Sequence, residues 1–213
     1  MDSKLHKGQP VPAAGAPLEE ARAAMLMVHG RGATARDMLT LAEELGRPDY
    51  AYVAPQAAGN TWYPYSFLAP IEDNEPWLSS ALETVGGVLA RIEEAGIPAE
   101  RIIVLGFSQG ACLALEFAAR NARRYGGLVG LSGGLIGPDG TPRDYARSFE
   151  GTPVFLGCSD VDPHIPKERV AHSEEVLRRM GGEVTARLYA NMGHTVNRDE
   201  IEFMRGMMEG PAA

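Results

Sequence analysis

Short apolar runs alternate with longer amphipathic stretches along almost the whole chain. Residues 24–28, 51–54, 102–105, 127–131, 153–156 and 184–189 are brief, apolar or β-branched, and mostly bounded by Gly, Pro or Asp. That pattern predicts strands buried on both faces, as in a parallel sheet. Between them, Leu78, Ala81, Leu82, Val85, Val88, Leu89 and Ile92 recur at helical spacing and predict a helix with one face on the sheet. Met38, Leu41, Ala42 and Leu45 form a second stripe, and Ile201, Met204 and Met208 a third. Strand–helix alternation of this kind predicts βαβ units, hence an α/β fold with a mostly parallel central sheet flanked by helices. No repeat, low-complexity tract or linker divides the chain. Residues 1–213 are therefore expected to form a single domain, with 1–20 an extended or short-strand N-terminal segment.

Composition narrows the function classes. At 213 residues and 45 % hydrophobic content the chain can build one sizeable core, which excludes disordered, collagen-like and coiled-coil classes. Lys and Arg number 20 against 28 Asp and Glu, a formal net charge of −8. Such a surface repels phosphate backbones, so nucleic acid is not an expected partner. Cys112 and Cys158 are too few for a disulfide framework or a structural zinc site. Residues 1–20 lack the apolar core of a secretory signal, and the run 23–28 is too short to span a bilayer. The expectation is a cytoplasmic protein without integral membrane association.

Two stretches break the alternation: 55–75, rich in aromatics (Trp62, Tyr63, Tyr65, Phe67), and 133–151, rich in Gly, Pro and charge. Both leave the C-terminal ends of predicted strands, the edge where open α/β sheets place their sites. The sharpest chemical signal is Gly106-Phe107-Ser108-Gln109-Gly110, which follows an apolar strand and opens a helix with small residues. A nucleophile elbow needs such glycines, because strand and helix pass where a Cβ would collide. It also presents backbone N–H groups to a developing oxyanion.

A serine hydroxyl needs a base, and the base an orienting acid, in the chain order Ser, Asp or Glu, His. His6 and His29 precede Ser108 and fail on order. His172 falls inside a predicted helix, 167–180, and His164 lies among the acid candidates. His194, in Asn191-Met192-Gly193-His194-Thr195, sits between the last predicted strand and the last helix and is the expected base. The acid lies in Cys158-Ser159-Asp160-Val161-Asp162-Pro163. Asp162 precedes a proline that shapes its turn, and Asp160 could instead brace that turn, so spacing leaves both open. His29-Gly30-Arg31-Gly32 follows an early strand, where a second oxyanion donor is expected. The two donors would be the backbone N–H groups of Arg31 and Gln109, with His29 bracing the loop.

Taken together, His29-Gly30-Arg31-Gly32, Gly106-Phe107-Ser108-Gln109-Gly110, Asp162-Pro163-His164-Ile165-Pro166 and Gly193-His194 resemble the phospholipase/carboxylesterase family of serine hydrolases. That family includes bacterial carboxylesterases and acyl-protein thioesterases. The resemblance runs over roughly residues 24–208. It implies an α/β-hydrolase fold without a separate lid domain. It favours Asp162 as the acid, giving Ser108, Asp162 and His194 as the triad, and it implies neither metal nor cofactor. Asn60-Thr61-Trp62-Tyr63 looks like the family's tryptophan-bearing cleft wall, so Trp62 and Tyr63 are expected to bind substrate and Trp62 to face the cleft. Arg31 stands where the thioesterase branch usually carries a hydrophobic residue. Its guanidinium either braces the loop through a salt bridge or contacts an anionic or polar substrate group.

The expected function is hydrolysis of small-molecule carboxylic esters with short to medium acyl chains through an acyl-enzyme. A lysophospholipase or acyl-protein thioesterase is the alternative within enzymes. A ligand-binding protein on a hydrolase fold is the alternative outside them. A homodimer is left open.

Overall fold

The computed structural model describes residues 5–209. Seven strands form one sheet in the order β1-β3-β2-β4-β5-β6-β7. They are β1 (Ala13–Gly15), β2 (Ala23–Val28), β3 (Tyr50–Val53), β4 (Ile102–Phe107), β5 (Gly127–Leu131), β6 (Pro153–Ser159) and β7 (Glu183–Tyr189). All neighbours pair in parallel except β1, which adds antiparallel to β3 at one edge. Every expected strand is present, with ends shifted by up to three residues. The short β1 falls in the N-terminal segment expected to be extended or a short strand, and its antiparallel pairing with β3 sets its bounds.

The helices α1 (Ala35–Leu45), α2 (Trp77–Glu94), α3 (Gln109–Arg120), α4 (Lys167–Arg179) and α5 (Arg198–Glu209) cover both faces. Alternate residues of β2 show why two layers are needed. Ala24, Leu26 and Val28 enter one core with α2, α3 and α4, while Ala23, Met25 and Met27 enter the other with α1 and α5. Each strand residue is thus apolar whichever way it points, and an apolar run is the result. Helix α1 starts on a Thr34–Asp37 capping box and stops at Gly46, whose φ of 67° suits glycine. Among the described residues no helix is long and apolar enough to cross a membrane.

The order of strands decides where a site can form. After β2 the chain steps to β3 on one side, and after β4 it steps to β5 on the other. Adjacent β2 and β4 therefore flank a switch point, where the loops at their carboxyl ends diverge and leave a crevice. His29–Arg31 leaves the end of β2 and Ser108 the end of β4.

One buried acid near this edge yields a stability prediction. Glu200, in the first turn of α5, is fully buried against Gly157 of β6. Its Oε2 accepts the Asn197 N–H at 2.9 Å while Asn197 Oδ1 accepts the Glu200 N–H at 3.0 Å, closing the helix start. Its Oε1 has no hydrogen-bond partner among the described residues. Burial raises the carboxyl to about 7, although the Asn197 N–H pulls the other way. An acid raised in the folded state stabilises fully below its unfolded pKa, and that contribution is lost as pH rises through about 7. The loss should be on the order of 3 kcal/mol by alkaline pH. Glu200→Gln should remove this pH dependence, so urea melts of the two proteins should converge near pH 5 and favour the variant at pH 8. Parallel curves across that range would show that Glu200 does not titrate there.

Candidate active site

Ser108 stands at the turn between β4 and α3 with φ 54° and ψ −121°, a backbone conformation that L-residues avoid. The turn is held from both sides, by Ser108 N–H to Leu131 O at 2.9 Å and by Cys112 N–H to Ser108 O at 3.0 Å. Two glycines make it geometrically possible. A Cβ on Gly106 would run into the Gly110 carbonyl, and one on Gly110 into the carbonyls of Val28 and His29. The elbow thus presses α3 against the end of β2, bringing the two oxyanion-loop candidates together.

Around that serine lies an unbroken chain of hydrogen bonds. His194 Nε2 is 2.8 Å from Ser108 Oγ, and His194 Nδ1 is 2.7 Å from Asp162 Oδ2. The Asp162 carboxylate fixes the tautomer, because an ionised carboxylate only accepts. Nδ1–H therefore donates to Asp162, leaving the Nε2 lone pair aimed at the serine hydroxyl. Asp162 Oδ1 accepts the N–H groups of His164 at 2.8 Å and Ile165 at 3.1 Å. Burial works to raise this carboxyl, but the bonds from His194, His164 and Ile165 outweigh it and hold it below the usual Asp value. The Phe107 ring packs 5.0 Å from that of His194 and the His164 ring lies edge-on at 4.9 Å, so the imidazole is clamped as well as hydrogen-bonded.

Geometry also separates the two aspartates. Asp160 Oδ1 accepts the Asn191 N–H at 2.8 Å, and the Asp160 N–H bonds Tyr189 O at 3.1 Å. It ties the loop after β6 to the loop that carries His194 and does not reach the imidazole. His29 braces its own loop: Ala57 N–H donates to Nε2 at 3.0 Å and Nδ1 lies 2.8 Å from Gly30 O. Burial holds its pKa below the ordinary histidine value, in keeping with a neutral ring. His172 is exposed on α4.

Neither the Arg31 nor the Gln109 backbone N–H has a protein acceptor among the described residues. Both flank Ser108, as an oxyanion pocket requires. The Gln109 side chain has a task that its place in the motif did not announce. Its Oε1 accepts the Trp62 N–H at 2.9 Å and its Nε2 donates to Tyr63 O at 2.8 Å, fastening the 61–63 segment to the start of α3.

The cleft above Ser108 measures about 440 Å³ and is lined by Arg31, 63–67, Gln109, Cys112, His164, Ile165 and His194. Tyr63 belongs to its wall, as expected, with Tyr65 and Phe67 beside it. Trp62 does not. It is fully buried behind that wall, with Nε1–H donating to His29 O at 2.8 Å and its ring 5.0 Å from that of His29. An indole N–H seeks a partner when buried, and the carbonyl it meets, that of His29, lies on the loop after β2 rather than in the cleft. Trp62 thus supports the site from beneath. Arg31 needs a correction too, since it makes no salt bridge among the described residues. Its guanidinium donates to the carbonyls of Tyr63 at 2.9 Å, Pro64 at 2.9 Å and Tyr65 at 2.7 Å.

A mostly parallel sheet with a serine on a strained strand-to-helix turn, hydrogen-bonded to a histidine from the loop after the last strand, defines an α/β hydrolase. The chain belongs to the phospholipase/carboxylesterase family, whose sequence profile matches residues 11–209. It is 30 % identical over 175 residues to acyl-protein thioesterase 1 of Yarrowia lipolytica, a match covering 72 % of this chain and 75 % of that protein. It is 33 % identical over 112 residues to acyl-protein thioesterase 1 of Gibberella zeae, where the match spans 51 % of this chain and about half, 47 %, of the relative. The crystal structure of a phospholipase/carboxylesterase from Dyadobacter fermentans superposes with a TM-score of 0.91 at 45 % identity, covering 94 % of this chain and 96 % of that one.

Proposed function

We propose that the protein is a serine hydrolase that cleaves carboxylic esters of short to medium acyl chains. The observation that carries this reading is the Ser108–His194–Asp162 hydrogen-bonded chain on the floor of an open cleft. His194 Nε2 takes the hydroxyl proton as Ser108 Oγ attacks the acyl carbon. The tetrahedral oxyanion is received by the backbone N–H groups of Arg31 and Gln109. Collapse breaks the bond to the alkoxide, which leaves with the proton from Nε2, and the acyl group stays on Ser108. Water repeats the sequence on the acyl-enzyme, with His194 as base and then acid. Asp162 keeps the imidazole in the tautomer that can accept and stabilises the imidazolium formed on the way.

The acyl chain would lie along Tyr63, Phe67 and Ile165, the apolar part of the cleft lining. Each buried methylene gains at most about 0.8 kcal/mol, so selectivity should climb with chain length until the wall ends. A cleft of about 440 Å³ that opens to solvent ends early. The experiment labels one sample with a fluorophosphonate probe and runs a p-nitrophenyl ester series from acetyl to palmitoyl, below micelle concentrations, on a separate unlabelled sample. The label should appear on the Ser108 peptide, and kcat/KM should peak at short to medium chains. Folded protein that takes no label would favour a binding protein without chemistry.

The names of the two fungal relatives favour a second reading, an acyl-protein thioesterase. The same serine, histidine and aspartate would serve it. A peak at palmitoyl, or a clear preference for matched thioesters or lysophospholipids, would move the assignment there.

A further inference from the structure

The cleft beside Ser108 has a charge opposite to that of the protein around it. The chain carries a net charge of −8, yet none of the residues lining the cleft is Asp or Glu. Asp162 lies beneath His194 with its side chain fully buried, both oxygens occupied by His194 and the N–H groups of His164 and Ile165. Arg31 supplies a permanent positive charge on the wall, and among the described residues no carboxylate pairs with it.

The contacts that Arg31 does make matter for what it can still bind. Its three acceptors are the backbone carbonyls of Tyr63, Pro64 and Tyr65, all neutral. They fix the guanidinium plane and leave its charge uncancelled. Nε–H and the second Nη1–H make no bond to the protein among the described residues. A fork held in place loses little further freedom when an oxyanion docks on its remaining donors. Two more donors line the same cleft. The Ser66 oxygen accepts the Leu68 N–H at 3.1 Å, so its hydroxyl proton is free to point elsewhere, and the exposed His164 ring stands against His194.

We infer that the cleft takes esters whose acyl part ends in an anionic group, a carboxylate or a phosphate-type oxyanion, received by the Arg31 guanidinium with Ser66 and His164 beside it. This rests on the ester-hydrolase reading and narrows its substrate class. The acyl end is chosen because Arg31 is anchored to the 63–65 segment, the same wall that offers Tyr63 and Phe67 to the chain.

The test compares three 4-nitrophenyl esters with acyl chains of matched length: the neutral pentanoate, the glutarate half-ester and a 4-phosphonobutanoate. At low salt the favoured anionic ester should exceed the neutral one about ten-fold in kcat/KM, the scale of one partly solvated charge pair. The gain should lie mainly in KM and shrink in 1 M salt as the pair is screened. The glutarate and phosphonate arms tell which anion fits. Arg31→Gln should lower turnover of all three esters, because the 63–65 wall loses its anchor, and should also erase the anionic preference. Arg31→Lys should loosen the wall yet keep most of that preference. A wild-type ratio near or below one, with the neutral ester cleaved, overturns the anionic subsite and leaves the esterase reading standing. A ratio that survives Arg31→Gln overturns it equally. If no ester is cleaved and Ser108 takes no fluorophosphonate label, both readings fall together.

Discussion

Ser108→Ala and His194→Ala should each lower kcat on an activated ester by about 10⁴- to 10⁶-fold while leaving the thermal midpoint within a few degrees of wild type. The size of the loss follows from the way the groups depend on one another. Without Oγ there is no acyl-enzyme; without the imidazole the hydroxyl is left protonated at 2.8 Å from nothing that can take its proton. Combining the two substitutions should cost little more than either alone, because members of one catalytic unit do not act additively. The remaining rate would come from the two oxyanion N–H groups and substrate binding. Neither change disturbs the core: Ser108 and His194 are only partly buried and sit on the rim of the sheet. Single-turnover assays with circular dichroism on the same samples check both parts. Near-normal activity in His194→Ala would place the base elsewhere.

The second large effect separates the aspartates. Asp162→Asn should cost about 10⁴ in kcat, since an amide in place of Oδ2 can donate to Nδ1 and turn the imidazole to the wrong tautomer. Asp160→Asn should cost less than about ten-fold, because an Asn carbonyl can still accept the Asn191 N–H that Asp160 Oδ1 holds at 2.8 Å. The pH dependence of stability should separate them as well. Asp162 is held below its ordinary value, so its contribution is present above the unfolded Asp pKa and is lost as pH falls through the lower folded value. Asp162→Asn should therefore flatten the acid limb of the stability profile relative to wild type. The reverse ranking of the two variants in kcat would make Asp160 the acid.

Site and stability meet at the elbow. Gly106 and Gly110 allow β4, α3 and the end of β2 to approach within backbone contact, and the positive φ of Ser108 is the strain that results. The surrounding structure over-determines that strain through Leu131 O, Cys112 N–H and the Gln109 amide. A single side chain, Gln109, thus links the nucleophile's helix to the cleft wall. Trp62 links that wall to the loop after β2 from behind.

Much of this was already written in the chain. Parallel strands buried on both faces must be apolar throughout, so their runs stand out against any background. Gly106, Ser108 and Gly110 carry their own geometry in their spacing, and the order serine, aspartate, histidine follows from the order of the loops. Other features depend on distances that no spacing encodes. Asp160 and Asp162 lie two residues apart, and spacing leaves both open; the family resemblance favours Asp162, and the fold separates the two by placing Asn191 against one and His194 against the other. Trp62 has the aromatic character of a cleft residue, but its indole N–H had to find an acceptor once buried, and the carbonyl of His29, 33 positions away, turned it inward. Arg31 could be read as a salt-bridged brace or as a substrate contact. Tertiary structure gives its guanidinium three neutral carbonyls instead of a salt bridge, because the 63–65 backbone passes within reach where, among the described residues, no carboxylate does. Local pattern sets which residues form an element; which side chains meet across elements is settled by packing alone.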